Sequence, residues 1–181
     1  MSPMKKKCFF EPQQFIPLLA LLVLFSIPLR LEADDVFWKG GQGGASAGNG
    51  FWNGPNGTWT DVGGTTPVAM PGSTDRVLFS ALGVGAVNSE LGQDFTIERL
   101  GKISSSNALI EGTNTLTIFQ STPNAPAIFS NDGAFFNIAA PVVFAGSADE
   151  VLVGSNSTVR IYNLSGSNNL IKTGAGLLEL S

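Results

Sequence analysis

Beyond Asp75, short runs of alternating apolar and polar residues are separated by clusters of Gly, Ser, Asn and Thr. An alternation of period two puts successive side chains on opposite faces of an extended chain, so these runs predict short strands, each with one face for a core. Paired apolar positions recur at Val77/Phe79, Phe95/Ile97, Leu116/Ile118, Phe136/Ile138, Val159/Ile161 and Leu178/Leu180, and their second members step by 18 to 23 residues. A period near twenty fits one coil of a β-solenoid, in which each turn of chain stacks its inward side chains on those of the turn before. Residues 108–111, 127–130, 142–145 and 151–153 supply further faces of the coils, and Phe119, Phe129, Phe135, Phe136 and Phe144 are expected to fill the core. A strand about every ten residues also suits an antiparallel sandwich, whose hairpins would scatter these positions instead of aligning them.

The segment 34–75 has a different texture, rich in Gly, Asn and Trp. It contains the echo Phe37-Trp38-Lys39-Gly40 and Phe51-Trp52-Asn53-Gly54, followed by Trp59-Thr60-Asp61. All three tryptophans of the protein lie here, and two readings fit them. Trp38, Trp52 and Trp59 can plug the open end of the solenoid, because a terminal repeat needs an atypical cap. Alternatively, their ring faces, with Asn and Asp nearby, can stack on an extracellular glycan.

The chain closes on Asn169-Leu170-Ile171-Lys172-Thr173-Gly174-Ala175-Gly176-Leu177-Leu178-Glu179-Leu180-Ser181, a strand, a glycine turn and a strand. This run resembles the start of the autotransporter-associated β-strand repeat, roughly L-x-K-x-G-x-G-x-L-x-L-S. Lys172, Gly174, Gly176 and the closing leucines all fall in place. The Trp-, Asn- and Gly-rich beginning and Pro71-Gly72-Ser73-Thr74-Asp75-Arg76-Val77-Leu78-Phe79 also resemble proteins that carry this repeat. The resemblance implies an all-β fold, a right-handed parallel β-helix, here of about five coils with an N-terminal cap. It also implies a bacterial protein displayed at the outer surface or secreted, and it implies no chemistry. The Gly-, Asn-, Tyr- and Thr-rich second half of the repeat does not follow, so further repeats or a translocator are expected beyond Ser181.

The first 33 residues have the layout of a signal peptide: Lys5, Lys6 and Lys7, an apolar stretch over 15–29, and Leu31-Glu32-Ala33 before Asp34 and Asp35. About 15 apolar residues broken by Pro17 and Pro28 fall short of the roughly 20 that span a bilayer, so no stable transmembrane helix is expected after cleavage. The division is then 1–33 leader, 34–75 cap and 76–181 solenoid. Without the leader, six cations and twelve anions leave a net charge of −6, with no basic stripe for nucleic acid. Cys8, the single cysteine, lies in the leader, so the mature chain has no disulfide.

Chemistry is sparse in the composition. There is no histidine, which removes the usual general base and the commonest metal ligand, and no cysteine outside the leader for thiolate or zinc chemistry. Asp94, Glu98, Glu111, Asp132, Asp149 and Glu150 are the available acids, but no two fall at a spacing that predicts convergence. Gly40-Gly41-Gln42-Gly43 lacks the aspartate of a calcium nonapeptide and does not recur; no phosphate-binding glycine motif is present. The sequons at Asn56, Asn156 and Asn163 suit turn chemistry in a bacterial protein. No enzyme, metal or cofactor is therefore expected. The reading is a non-catalytic, exported, adhesin-like structural protein that meets glycan or a neighbouring cell surface; the alternative is a carbohydrate-binding or carbohydrate-active β-helix module.

Overall fold

The computed structural model describes residues 34–38, 49–54, 59–62, 64–80, 87–122, 124–131, 133–146, 149–166 and 169–181. The expected leader, Cys8, Lys39, most of the 40–50 glycine loop, the sequon at Asn56 and the candidate acid Asp132 lie outside the described residues. Every regular element among those described is a strand.

The chain coils as the apolar alternation predicts. A partial first coil holds β1 (Asp35–Trp38) and β2 (Gly50–Phe51), and β3 (Trp59–Thr60) follows it. Four complete coils of three strands come next. They are β4 (Arg76–Phe79), β5 (Val87–Glu90) and β6 (Phe95–Ile97); β7 (Arg99–Lys102), β8 (Ala108–Glu111) and β9 (Leu116–Ile118); β10 (Ile128–Ser130), β11 (Ala134–Ile138) and β12 (Val142–Phe144); and β13 (Asp149–Val153), β14 (Ser157–Ile161) and β15 (Leu164–Gly166). Strands β16 (Leu170–Thr173) and β17 (Leu177–Leu180) begin a last coil. Equivalent strands stack in parallel into three sheets: β1, β4, β7, β10, β13 and β16 in the first, β2, β5, β8, β11, β14 and β17 in the second, and β6, β9, β12 and β15 in the third. The only antiparallel ladder among the described strands is β3 on β1.

Three of the five expected register steps hold. Phe95 and Ile97 pair with Leu116 and Ile118, Phe136 and Ile138 with Val159 and Ile161, and these with Leu178 and Leu180. The other two are corrected: Val77 pairs with Leu100 and not Phe95, and Leu116 pairs with Val142 and not Phe136. With three strands per coil, a step near twenty can land on the neighbouring face. In addition, the nine-residue connection 119–127 lengthens one coil, so that Leu100 meets Ile128, 28 residues on.

Inward positions form one core from end to end. Val36, Val77, Leu100, Ile128 and Val151 stack along the first sheet, and Ala108, Ile110, Phe136, Ile138, Val159 and Ile161 along the second, each almost wholly buried. Burying a side chain of this size contributes about 1.5–3 kcal/mol. Phe136 and Phe144 fill this core as expected. Phe119 and Phe135 are instead exposed, and Phe129 lies on the outer side of the first sheet with Phe37 and Leu78. Alternation gives the reason: Phe119 and Phe129 directly follow the inward Ile118 and Ile128, and Phe135 directly precedes the inward Phe136, so each must face away.

Two close approaches fix how the coils stack. The tip of the Phe129 ring reaches over Gly101, its partner in register, so a Cβ at Gly101 would sit 2.1 Å from Cζ. The Arg99 guanidinium covers the same ring at 5.4 Å from its centroid. In the turn between β16 and β17, a Cβ at Gly174 would meet the Val153 carbonyl oxygen at 2.2 Å, and one at Gly176 the Gly154 oxygen at 2.3 Å. Gly174 also has φ +77°, a conformation glycine adopts without penalty. Both glycines of the terminal motif are thus required by the coil beneath them.

Gly101→Ala is expected to lower stability by about 1–3 kcal/mol through overpacking. Adding Phe129→Ala should recover part of that loss, so urea denaturation of the two single variants and the double variant should show non-additivity.

Candidate functional site

The tryptophans come from three places in the chain: Trp38 ends β1, Trp52 sits in the turn after β2, and Trp59 opens β3. They meet edge to face, Trp38 to Trp59 at 4.9 Å and Trp52 to Trp59 at 5.1 Å between centroids. Trp52 also stands edge-on to Phe95 at 5.2 Å and against Phe79 at 6.1 Å. Their polar edges are used inside the protein, since Trp59 Nε1 donates to the Trp52 carbonyl oxygen (2.9 Å) and Trp52 Nε1 to Ser89 Oγ (3.1 Å). Exposure is 4% for Trp38, 0% for Trp52 and 2% for Trp59. The expectation that Trp38, Trp52 and Trp59 stack on a glycan is corrected accordingly: a ring packed on its neighbours has no face for a sugar. The three rings close the N-terminal end of the core, and β3 covers the edge of β1 with only two residues, which limits pairing with another chain.

Beside this plug lies a shallow groove of about 630 Å³ with Asp34, Asp35, Asp61 and Asp75 among its walls and exposed Val62 and Met70 at its rim. Most of its carboxylates hold the walls together. Asp35 pairs with Arg76, Asp75 Oδ2 accepts the Gly72 N–H at 2.7 Å, and Asp61 Oδ1 accepts the Thr66 N–H at 3.3 Å. Arg76 is thereby committed, and its charge, together with burial as the larger cause, pulls the neighbouring Arg99 guanidinium below its ordinary pKa.

The acids singled out in the sequence are dispersed. Glu98 is buried and accepts hydrogen bonds from Ser121 Oγ (2.9 Å) and Thr122 Oγ1 (2.6 Å), which pins the 119–127 connection. Arg99 Nε donates to the Pro126 carbonyl oxygen (2.8 Å), a second tie between the connection and the body, and Gln120 Nε2 donates to the Ala125 carbonyl oxygen (2.8 Å) within the connection itself. Asp149 is buried at the start of β13. Glu150 faces out and accepts from Thr173 Oγ1 at 2.5 Å, and Asp94 accepts the Thr115 N–H at 2.8 Å at a turn. Only Glu111 has another acid directly beside it in register, Glu90, on the outer face of the second sheet. Among the described residues no group of three or more His, Cys, Asp or Glu is placed to hold a metal ion, and no helix is long and apolar enough to cross a membrane.

That outer face also carries groups the sequence did not nominate for a site. Phe51 and Tyr162 are exposed, and Phe135 lies under the Arg160 guanidinium at 5.0 Å, with Arg160 bonded to Glu179, which raises its pKa. Phe51 and Tyr162 are 111 residues apart in sequence, and only the register of the coils reveals that they share a column. Comparison of the chain with protein-family models, with curated proteins and with solved structures finds no match.

Trp52→Ala is expected to cost about 3–5 kcal/mol, measured by thermal or urea unfolding, because it empties the centre of the plug. Tryptophan fluorescence of the native protein should resist iodide quenching and should not respond to added polysaccharide.

Proposed function

We propose that this chain is a non-catalytic, exported structural protein with an adhesin-like role, a β-solenoid that holds flat outer faces in the extracellular space. One observation carries the reading. Buried apolar side chains form one cluster from Val36 to Ile161, and the buried charged residues beside it lie at or between strand ends, Asp149 opening β13, Lys102 donating to the Ser104 carbonyl oxygen and Glu98 accepting from Ser121 and Thr122. A stalk needs such a body, whereas an enzyme needs groups that converge on a reacting atom.

Export is supported by the three lysines, the apolar stretch over 15–29 and Ala33 ahead of Asp34. A body without disulfides, held by ladders and burial, also suits a polypeptide that folds only after crossing a membrane. The resemblance of residues 169–181 to the autotransporter-associated repeat points the same way. The sites of its glycines explain why that motif needs them, since each lies against the carbonyl oxygen of the preceding coil.

Expression of the full chain in a Gram-negative host, followed by mass spectrometry of its N-terminus and protease shaving of intact cells, tests the reading. A mature start at Asp34 and an accessible product are expected. A cytosolic product that keeps residues 1–33 would sink it.

A further inference from the structure

The groove beside the tryptophan plug takes its carboxylates from three pieces of chain. Asp35 pairs with Arg76 in register and the Arg76 N–H donates to the Asp34 carbonyl oxygen, which sets Asp34 beside Asp75 at the entry of the ladder. Val36 and Val77 point into the core, so by alternation Asp34 and Asp75 lie toward the inner side, while Asp35 and Arg76 form their ion pair on the outer side. On the other flank of β1, Phe37 faces Thr60 and Trp38 faces Trp59, which brings Asp61 level with Val36 and, like Trp59, toward the inner side. Asp34, Asp61 and Asp75 thus share one side of the groove, and no lysine or arginine is in its wall. Beyond them stand Glu98, whose N–H donates to the Asp75 carbonyl oxygen, and Arg99, which lies over Phe129 on the outer side. In a parallel ladder the N–H and C=O of one residue are turned to the same neighbour, so the Asp34 nitrogen is directed at β4 and Asp75.

We propose that the occupant of this groove is the chain's own new terminus: when the leader is cut off ahead of Asp34, the α-ammonium left on Asp34 is held by the Asp61 and Asp75 carboxylates and fastens the N-terminal plug. The step is an amide hydrolysis. The C–N bond to Ala33 breaks as water adds to the Ala33 carbonyl carbon, which gives a carboxylate there and a protonated amine on Asp34. Charge selects this occupant. The carboxylates gather around the one backbone nitrogen that cleavage makes cationic, and Arg76, the cation beside them, is committed to Asp35. Before cleavage that nitrogen is a neutral amide, with one N–H and no charge. The contact ties together the start of β1, the exit from β3 and the entry to β4, and the first two of these carry Trp38 and Trp59.

This inference rests on the export reading, but the two fail separately. An uncut leader in cells speaks against export, whereas a comparison of two prepared chains speaks to the contact itself. Residues 32–181 form a compact unit of their own, so the chain is made to begin at Asp34 by removal of a fusion partner, once with its terminal amine free and once with it acetylated. Urea unfolding is followed by the fluorescence of the three tryptophans, all of which lie in the plug. At pH 7 acetylation should lower the ratio of folded to unfolded chain about two- to fivefold, the range of an ion pair near the surface. Neighbouring carboxylates hold the folded amine above its ordinary value of about 8, so the difference should be complete below that value and disappear as pH rises through the folded one. Asp61→Asn with Asp75→Asn should erase the effect of acetylation. Glu111→Gln, which removes a charge from the outer face of the second sheet, should leave it intact. The pH series needs no variant and decides the matter even if the double variant does not fold. Equal stability of the free and acetylated chains at pH 7, a difference that persists at a pH of about 10.5, an effect that survives in the folded double variant, or one that Glu111→Gln also erases would each overturn the proposal.

Discussion

The structure depends on the parallel ladder from one coil to the next. A single coil of three short strands has no backbone partner within itself and one narrow apolar stripe, so it is stable only when another coil lies above or below it. The in-register pairing of Val77 with Leu100, Leu100 with Ile128 and Ile128 with Val151 satisfies both needs together, because the residues that share hydrogen-bonded strands also share the core. Outer features follow from that alignment. Each outward residue stands over its equivalent in the neighbouring coil, which turns isolated side chains into columns.

The first and last described coils differ. At the first, an antiparallel strand, two tryptophan indole bonds and a tight aromatic cluster replace the missing coil. At the other, β16 and β17 follow the same register, with Leu170 and Leu178 only half-buried and Ile171, Leu177 and Leu180 exposed. The inward position that holds Val151 in the preceding coil is taken by Lys172, whose Nζ donates to the Gly174 carbonyl oxygen (2.5 Å).

Much of this architecture was legible in the alternation. The strands, the coil of about twenty residues and the terminal turn followed from period-two patterning and glycine placement, and four complete coils with partial ones at each end stand near the five expected. Face assignment was less accessible. Val77 and Phe95 look equivalent in sequence, yet they belong to different sheets, since nothing local distinguishes a strand one face onward from one a full coil onward. The phenylalanines show the same limit: Phe135 and Phe136 are chemically identical neighbours, and only the pleat sends one out and one in. Tryptophan rings beside Asn and Asp suited ligand contact as well as a cap, but rings at a solenoid end have an open core to fill. The column that joins Phe51 to Tyr162 was invisible because it depends on counting every coil between them.

The 119–127 connection separates coil length from coil pitch. It adds residues at one corner, yet the strands on either side, β9 and β10, keep their places in the third and first sheets. Glu98 and Arg99 gather the extra chain against the body, and Gln120 folds it on itself, so the added length is absorbed sideways. That corner is therefore a natural graft point, where an ancestral or engineered insertion could change the silhouette of the rod while its rise per turn stays constant.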